Sequence, residues 1–191
     1  MMKTENPQEL ILELNDDEWP LEYIDHDREI VRAVVFDDDG YLYFVQVNRD
    51  DEFGKAELIE TSGGGVEAGE DEETALLREL SEELGVIGEI ITRIGTVSDY
   101  YNLIHRHNRN HYYLVRVRAF EPVHRTTDEV ERFHLSALKL TIAQAEEAYH
   151  NNLQYPLGRL ITKRELPMLY QAQELMASAG LVQHSDRGEL V

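Results

Sequence analysis

Glu79, Glu82 and Glu83 fall within five consecutive positions of the chain. On a helix turning about 100° per residue they share an arc of roughly 100°. Like charges at that spacing destabilise a helix, and they raise one another's pKa unless a cation stands among them. Residues 67 to 83 hold seven glutamates and an aspartate, with Arg78 as their single basic residue. All-oxygen ligands of this kind suit a hard cation, Mg²⁺ or Mn²⁺, rather than zinc. Magnesium binds through a few carboxylates plus substrate phosphates, polarises phosphoryl oxygens and lowers the pKa of an attacking water. The chemistry such a cluster can do is metal-assisted hydrolysis at phosphorus.

The neighbours fit that reading. Arg78 stands four residues before Glu82, close enough on a helix to pair with it and fix its rotamer. Gly63, Gly64 and Gly65 precede the helix and allow close backbone approach to a metal or phosphate. Glu70 lies in the same loop, placed either to join the metal cluster or to brace the turn. The acidic run at 70 to 73 also has a plain reading as a solvated helix face.

The elements that must position these residues can be read from pattern. EIVRAVVF and YLYFVQV flank Asp37-Asp38-Asp39-Gly40, which predicts a hairpin. ELIET reads as a further strand leading into the glycines. A helix is predicted from Glu72 to Leu84, stopped by Gly85, with Leu76, Leu77, Leu80 and Leu84 as its apolar stripe. EIITRIGTV and HYYLVRVRAF read as strands joined by the polar segment YYNLIHRHNRN. The tail reads as helical, with capping-box spacing at Thr141/Gln144 and at Thr162/Glu165, and Pro167 suggests that the last helix begins there. Strands first and helices last predict an α/β fold, a mixed sheet covered by helices.

Composition bounds the partners. The chain has 191 residues, 42% of them hydrophobic, enough for one domain with a sizeable core. Eighteen basic against 38 acidic residues give a net charge of −20, which argues against binding nucleic acid or an anionic membrane surface. An anionic substrate therefore needs local help from a metal or a basic patch. The absence of cysteine excludes disulfides, thiolate catalysis and cysteine-ligated zinc. The start lacks a secretory pattern and no apolar run is long enough to span a membrane, so a cytoplasmic location is expected.

Gly64, five residues, Glu70, seven residues, Arg78-Glu79-Leu80, one residue, Glu82-Glu83, one residue, Gly85-Val86 resembles the Nudix box at every specified position. Seven fixed residue types and two aliphatic sites agree across 23 positions. The resemblance implies a Nudix-type α/β/α sandwich with a mixed sheet and a loop–helix–loop catalytic motif. It covers roughly residues 28–140 as the Nudix domain; the N-terminal extension at 1–27 and the helical segment at 141–191, expected to pack on the same domain, lie outside what it explains. The implied activity is hydrolysis of a nucleoside diphosphate linked to another group, with Mg²⁺ or Mn²⁺ as cofactor. Carried over, Glu79, Glu82 and Glu83 are metal ligands, and Glu82, Glu83 and Arg78 are catalytic. Gly64 offers its backbone carbonyl to the metal, and Glu70 supports. The general base comes either from the box or from a glutamate in a later loop; EPVHRTTDEVER offers Glu121, Glu129 and Glu131, of which Glu129 is preferred. Thr61-Ser62 stands where many members carry Leu-Pro. No proline follows the box before Pro122, unlike the ADP-ribose members, and Tyr100 and Tyr101 lie near the tyrosine of the dinucleoside-polyphosphate members.

The segment HRHNRNH at 105 to 111 is locally cationic. Arg106, His107, Arg109 and His111 are candidate contacts to phosphate or ribose oxygens. A solvated loop and a histidine-held transition metal are the other readings of these residues. Tyr100, Tyr101, Tyr112 and Tyr113 are placed either to stack on a base or, as with Tyr113, in the core. At the level of function, a nucleotide-sensing domain without turnover and a plain acidic interaction module stand as alternatives to the enzyme. A homodimer formed through the tail helices stands beside simple packing of those helices on their own domain.

Overall fold

The two β-rich runs around Asp37 pair as predicted. In this computed structural model, which describes residues 9–123 and 135–181, strands β2 (His26–Phe36) and β3 (Leu42–Asp51) meet antiparallel through Val35↔Tyr43 and Phe36↔Leu42. The Asp37 carboxylate fixes the turn by accepting from the amides of Asp39 and Tyr41 at 3.0 and 2.9 Å. Strand β4 (Gly54–Glu60) runs back along β3, and the short β5 (Ser62–Gly65) pairs antiparallel with β2. Two long strands, β6 (Val86–Tyr101) and β7 (Arg106–Phe120), form an antiparallel pair, and β7 lies parallel to β2 from His26↔Arg106 to Phe36↔Arg116. Strand β1 (Leu10–Leu14) adds to β6 in parallel, and β8 (Ser136–Leu140) pairs with β3. The sheet order is β1-β6-β7-β2-β3-β4, with both parallel and antiparallel pairs.

Side chains alternate across the strands, so each face of the sheet has its own core. Val31, Ala33, Val35, Tyr113 and Val115 face helix α1 (Glu72–Leu84) and pack on Ala75, Leu76, Leu80 and Leu84. Val34, Phe36, Tyr112 and Leu114 face the other way, onto α2 (Ile142–Asn152) and α3 (Pro156–Ser178), through Tyr149, Leu160, Ile161, Met168 and Leu169. The result is a three-layer α/β/α sandwich. The apolar faces of α2 and α3 are spent on their own sheet. The segment before β2 is likewise integral: Asp16 receives the amide of Asn102 at 2.8 Å, and the Glu18 carboxylate accepts from Arg159 Nε at 2.7 Å on α3.

Several expectations are corrected. The glycines form strand β5 rather than a loop, because β2 offers them a ladder from Ile30 to Ala33. The polar segment YYNLIHRHNRN is mostly strand: only Asn102–Ile104 and His105 turn, and β7 starts at Arg106, held in register by β2 on one side and β6 on the other. Leu77 is 38% exposed and Ala75 takes its place in the buried stripe, which rotates Glu79 and Glu83 inward to 8% and 7% exposure. The Thr141/Gln144 capping box forms with both reciprocal bonds. Thr162 and Glu165 instead lie buried inside α3, which begins at Pro156 and runs through Pro167. Pro167 removes one helical hydrogen bond; buried contacts on both sides of it, from Arg164 and Glu165 to Met168 and Leu169, hold the helix together.

Candidate active site

Helix α1 is built to present its polar border rigidly. Asp71 caps it by accepting from the amide of Thr74 at 2.8 Å, and Gly85 closes it at φ 63°, ψ 33°, the left-handed conformation that favours glycine. Leu76, Leu80 and Leu84 anchor the opposite side in the core. The border residues then meet the edge of β5.

Arg78 is the hub of that border. Its Nε and Nη2 each lie 3.0 Å from a different oxygen of Glu70. Its Nη1 donates to Glu79 at 2.9 Å and to Glu82 at 3.2 Å, and its Nη2 also reaches the Gly65 carbonyl at 3.3 Å. Hydrogen bonding from Arg78 holds the Glu70 carboxyl below its ordinary value, and Glu70 in turn, with Glu79, raises the guanidinium well above its own. Glu70 therefore braces the turn before the helix, accepting also from the amide of Glu67 at 3.1 Å. Glu83 is held separately: its Oε2 accepts from Ser62 Oγ at 2.6 Å and from the Gly63 amide at 3.0 Å.

The glycines matter for space. A Cβ on Gly64 would sit 2.3 Å from a Glu79 oxygen, and one on Gly65 would sit 2.8 Å from Arg28 Nη2. Strand β5 is thus a thin partition with Glu79 against one face and Arg28 against the other. Its backbone also has sides. Val66 donates to Glu29 at 3.0 Å, and alternation along the antiparallel ladder then turns Gly64 toward β2, opposite Val31. The backbone groups facing the glutamates are those of Gly63 and Gly65. The expectation for the Gly64 carbonyl shifts to these neighbours, because the ladder fixes which groups point outward.

Among the described residues, no three Asp, Glu or His side chains stand close enough to chelate one ion as placed. The donor set nevertheless fits a hard cation: carboxylates and a glycine backbone converge on a spot where a Cβ would collide. Arg78 Nη1 is the positive charge that stands between Glu79 and Glu82.

The second constellation is divided by the strand it occupies. His107, Arg109 and His111 face the α1 side and are already engaged: His107 Nδ1 lies 2.7 Å from Asp27, Arg109 donates to Glu29 at 2.8 Å, and His111 Nε2 lies 2.7 Å from Glu29. Arg106 faces the other side, over the Tyr101 ring at 5.3 Å. Tyr112 and Tyr113 are core, and Tyr100 tilts onto His107. Glu121 is tied to Ser81 near the C-terminal end of α1, and Glu129 lies outside the described residues.

Sequence reasoning missed Arg28, Arg32, Ser62 and Glu165. Arg28 and Arg32 share a face by simple alternation, which was readable. Glu165 was not: it lies on α3, yet it accepts from the Thr61 amide at 2.7 Å and from Thr61 Oγ1 at 2.9 Å, far away in sequence.

The sequence model of the NUDIX domain matches residues 26–159, so this mixed α/β/α sandwich with a carboxylate-bearing helix braced by one arginine belongs to the Nudix family, hydrolases of phosphorus-containing acid anhydrides. No curated protein sequence matches it. In fold it is similar to a NUDIX hydrolase from Nitrosomonas europaea (18% identity, TM-score 0.58, covering 81% of this chain and 90% of that one). It is also similar to an ADP compounds hydrolase (21% identity, TM-score 0.56, 81% and 76% covered). The ORF135 protein of E. coli is a third (22% identity, TM-score 0.51, 88% and 100% covered).

Proposed function

We propose that the chain cleaves a diphosphate bond in a nucleoside diphosphate linked to another group, at the carboxylate border of α1. The observation that carries this is Arg78, which ties Glu70, Glu79, Glu82 and the Gly65 carbonyl into one array beside a glycine strand. Glu79, Glu82 and Glu83, with the Gly63 or Gly65 carbonyl, would hold Mg²⁺ or Mn²⁺. Such an ion supplies phosphoryl polarisation and a more acidic water. The protein's own residues do the positioning: Arg78 orients Glu79 and Glu82, and Ser62 with Gly63 orients Glu83. Glu129 remains the proposed general base.

The test is product release from a panel containing nucleoside triphosphates, ADP-ribose, dinucleoside polyphosphates and nucleotide sugars, with Mg²⁺ or Mn²⁺ and with EDTA. Cleavage should require the metal, and Glu83→Gln should lower kcat/KM by about a hundredfold or more. Cleavage that survives both EDTA and Glu83→Gln would sink the reading. Nucleotide binding with no cleavage at all would replace it with the sensing alternative.

A further inference from the structure

Among the described residues, each arginine except Arg28 and Arg106 has a carboxylate within 4.0 Å. Two unpaired arginines in a chain of net charge −20 are unexpected, since carboxylates outnumber cations twofold. The two are also neighbours. Strands β2 and β7 align His26 with Arg106 and Arg28 with Asn108, so Arg28, Arg106 and Asn108 point to the same face. Arg106 Nε is buried and makes no hydrogen bond, and so is the Asn108 carboxamide oxygen, on a fully buried residue. Buried polar atoms are nearly always partnered, and of these two it is the Arg106 donor that calls for an anion; the Asn108 oxygen is an acceptor, and its amide is given to Asp99 at 3.1 Å.

Carboxylates act on this spot only from beyond ion-pair distance, Glu79 on Arg28 and Asp99 on Arg106, each in the sense that raises the guanidinium. Burial, together with the charge of Arg32, pushes the Arg28 guanidinium below its ordinary value, although its outer part is exposed. Burial does the same at Arg106, and the charges of Arg28 and Arg32 add to it. Tyr101 lies beneath Arg106 and orients it without supplying a full negative charge. Arg28 Nη2 would touch a Cβ on Gly65, next to the Gly64 that Glu79 occupies from the opposite face. Arg28 and the Glu79 carboxylate are therefore separated only by the glycine end of β5.

We propose that Arg28 and Arg106 form a second anion subsite, which takes a phosphate of the substrate lying beyond the diphosphate held at α1. This rests on the hydrolase reading above and narrows it to substrates carrying a further phosphate. A diphosphate ending in a neutral sugar would leave both arginines unmatched. The substrate passes around the edge of β5, its metal-bound diphosphate on the Glu79 side and its additional phosphate on the Arg28 side. The Arg106 guanidinium supplies the inner half of the clamp and Arg28 the solvent-facing half.

The test separates the subsite from catalysis by removing metal. Calorimetric titration with inorganic tripolyphosphate in EDTA would compare the wild-type chain with Arg28→Gln, Arg106→Gln, Arg28→Lys and, as a control, Arg118→Gln, whose side chain pairs with Glu89 away from the site. Arg28→Gln and Arg106→Gln should each weaken binding by about tenfold or more. Arg28→Lys should recover part of the loss, and Arg118→Gln should leave affinity unchanged. Equal affinity across all variants, or no binding to the wild type, would overturn the proposal. A parallel titration with orthophosphate distinguishes free phosphate as the occupant: binding as tight as that of tripolyphosphate would overturn the assignment to substrate. If tripolyphosphate binding depends on the arginines while no panel compound is cleaved, the subsite stands and the hydrolase reading falls. Arg28 is partly exposed, so its variants are expected to fold; unchanged thermal transitions check this.

Discussion

At the scale of single residues, the glycines of β5 can be told apart by experiment. Gly63 has φ 151°, and a Cβ there would meet the Val31 carbonyl oxygen at 2.0 Å, so the obstacle is backbone. Gly64 would meet only the end of the Glu79 side chain, which can move. Gly63→Ala is therefore expected to destabilise the fold by roughly 1–3 kcal/mol or more, visible in urea unfolding. Gly64→Ala should leave the midpoint nearly unchanged and weaken Mn²⁺ binding by about tenfold, because Glu79 is displaced. The reverse pattern would show that β5 is not the partition described.

At the scale of elements, the C-terminal helix reaches the site through one carboxylate. Glu165 is fully buried and holds Thr61 through both its amide and its hydroxyl; the next residues, Ser62 and Gly63, hold Glu83. Helix α3 thus sets the strand junction that positions a candidate metal ligand. Removing one partner of a buried ionic cluster weakens compensation of the others, here Arg164 at 2.8 Å and Arg32 at 3.3 Å, which would keep only Asp99 and Glu60. Glu165→Ala is expected to cost roughly 3–5 kcal/mol. Glu165→Gln, which keeps acceptor and shape, should cost less and should restore metal affinity relative to alanine. Equal metal affinity in the two variants would mean that α3 only stabilises the fold.

At the scale of the whole molecule, acid should unfold the protein through these same groups. Burial raises the Glu165 pKa, but the charges of Arg164 and Arg32 outweigh it and hold the carboxyl below the ordinary 4.5. A hydrogen bond from Arg159 lowers Glu18 in the same sense, at the contact between the N-terminal segment and α3. A carboxyl with a depressed folded pKa contributes stability that is full above its unfolded value and is lost as pH falls toward the folded one. Stability should therefore hold down to about pH 4.5 and fall below it. Self-repulsion does not oppose this, since the net charge has vanished near the pI of 4.6. Chemical denaturation across pH 3 to 7 checks it, and a stability that rises below pH 4.5 would refute it. No helix among the described residues is long and apolar enough to cross a membrane.

The sequence determined what depends on neighbours along the chain. Helix α1 starts and stops where Asp71 and Gly85 place it, the Asp37–Gly40 turn joins its two strands, and Arg78 reaches Glu82 one turn away. Fixed short spacings dictate these contacts, so the carboxylate border and its arginine were legible from residue types alone. What partners an edge or fills a buried face depends on distant residues, and only the tertiary structure decided it. The glycines became a strand because β2 offered a ladder, and the segment at 105 to 111 became a strand because it lies between β2 and β6. Glu165 became an anchor rather than a cap because folding brought Thr61 to it across the sheet. Arg106 was separated from His107, Arg109 and His111 by the alternation of a strand that the polar pattern had not revealed.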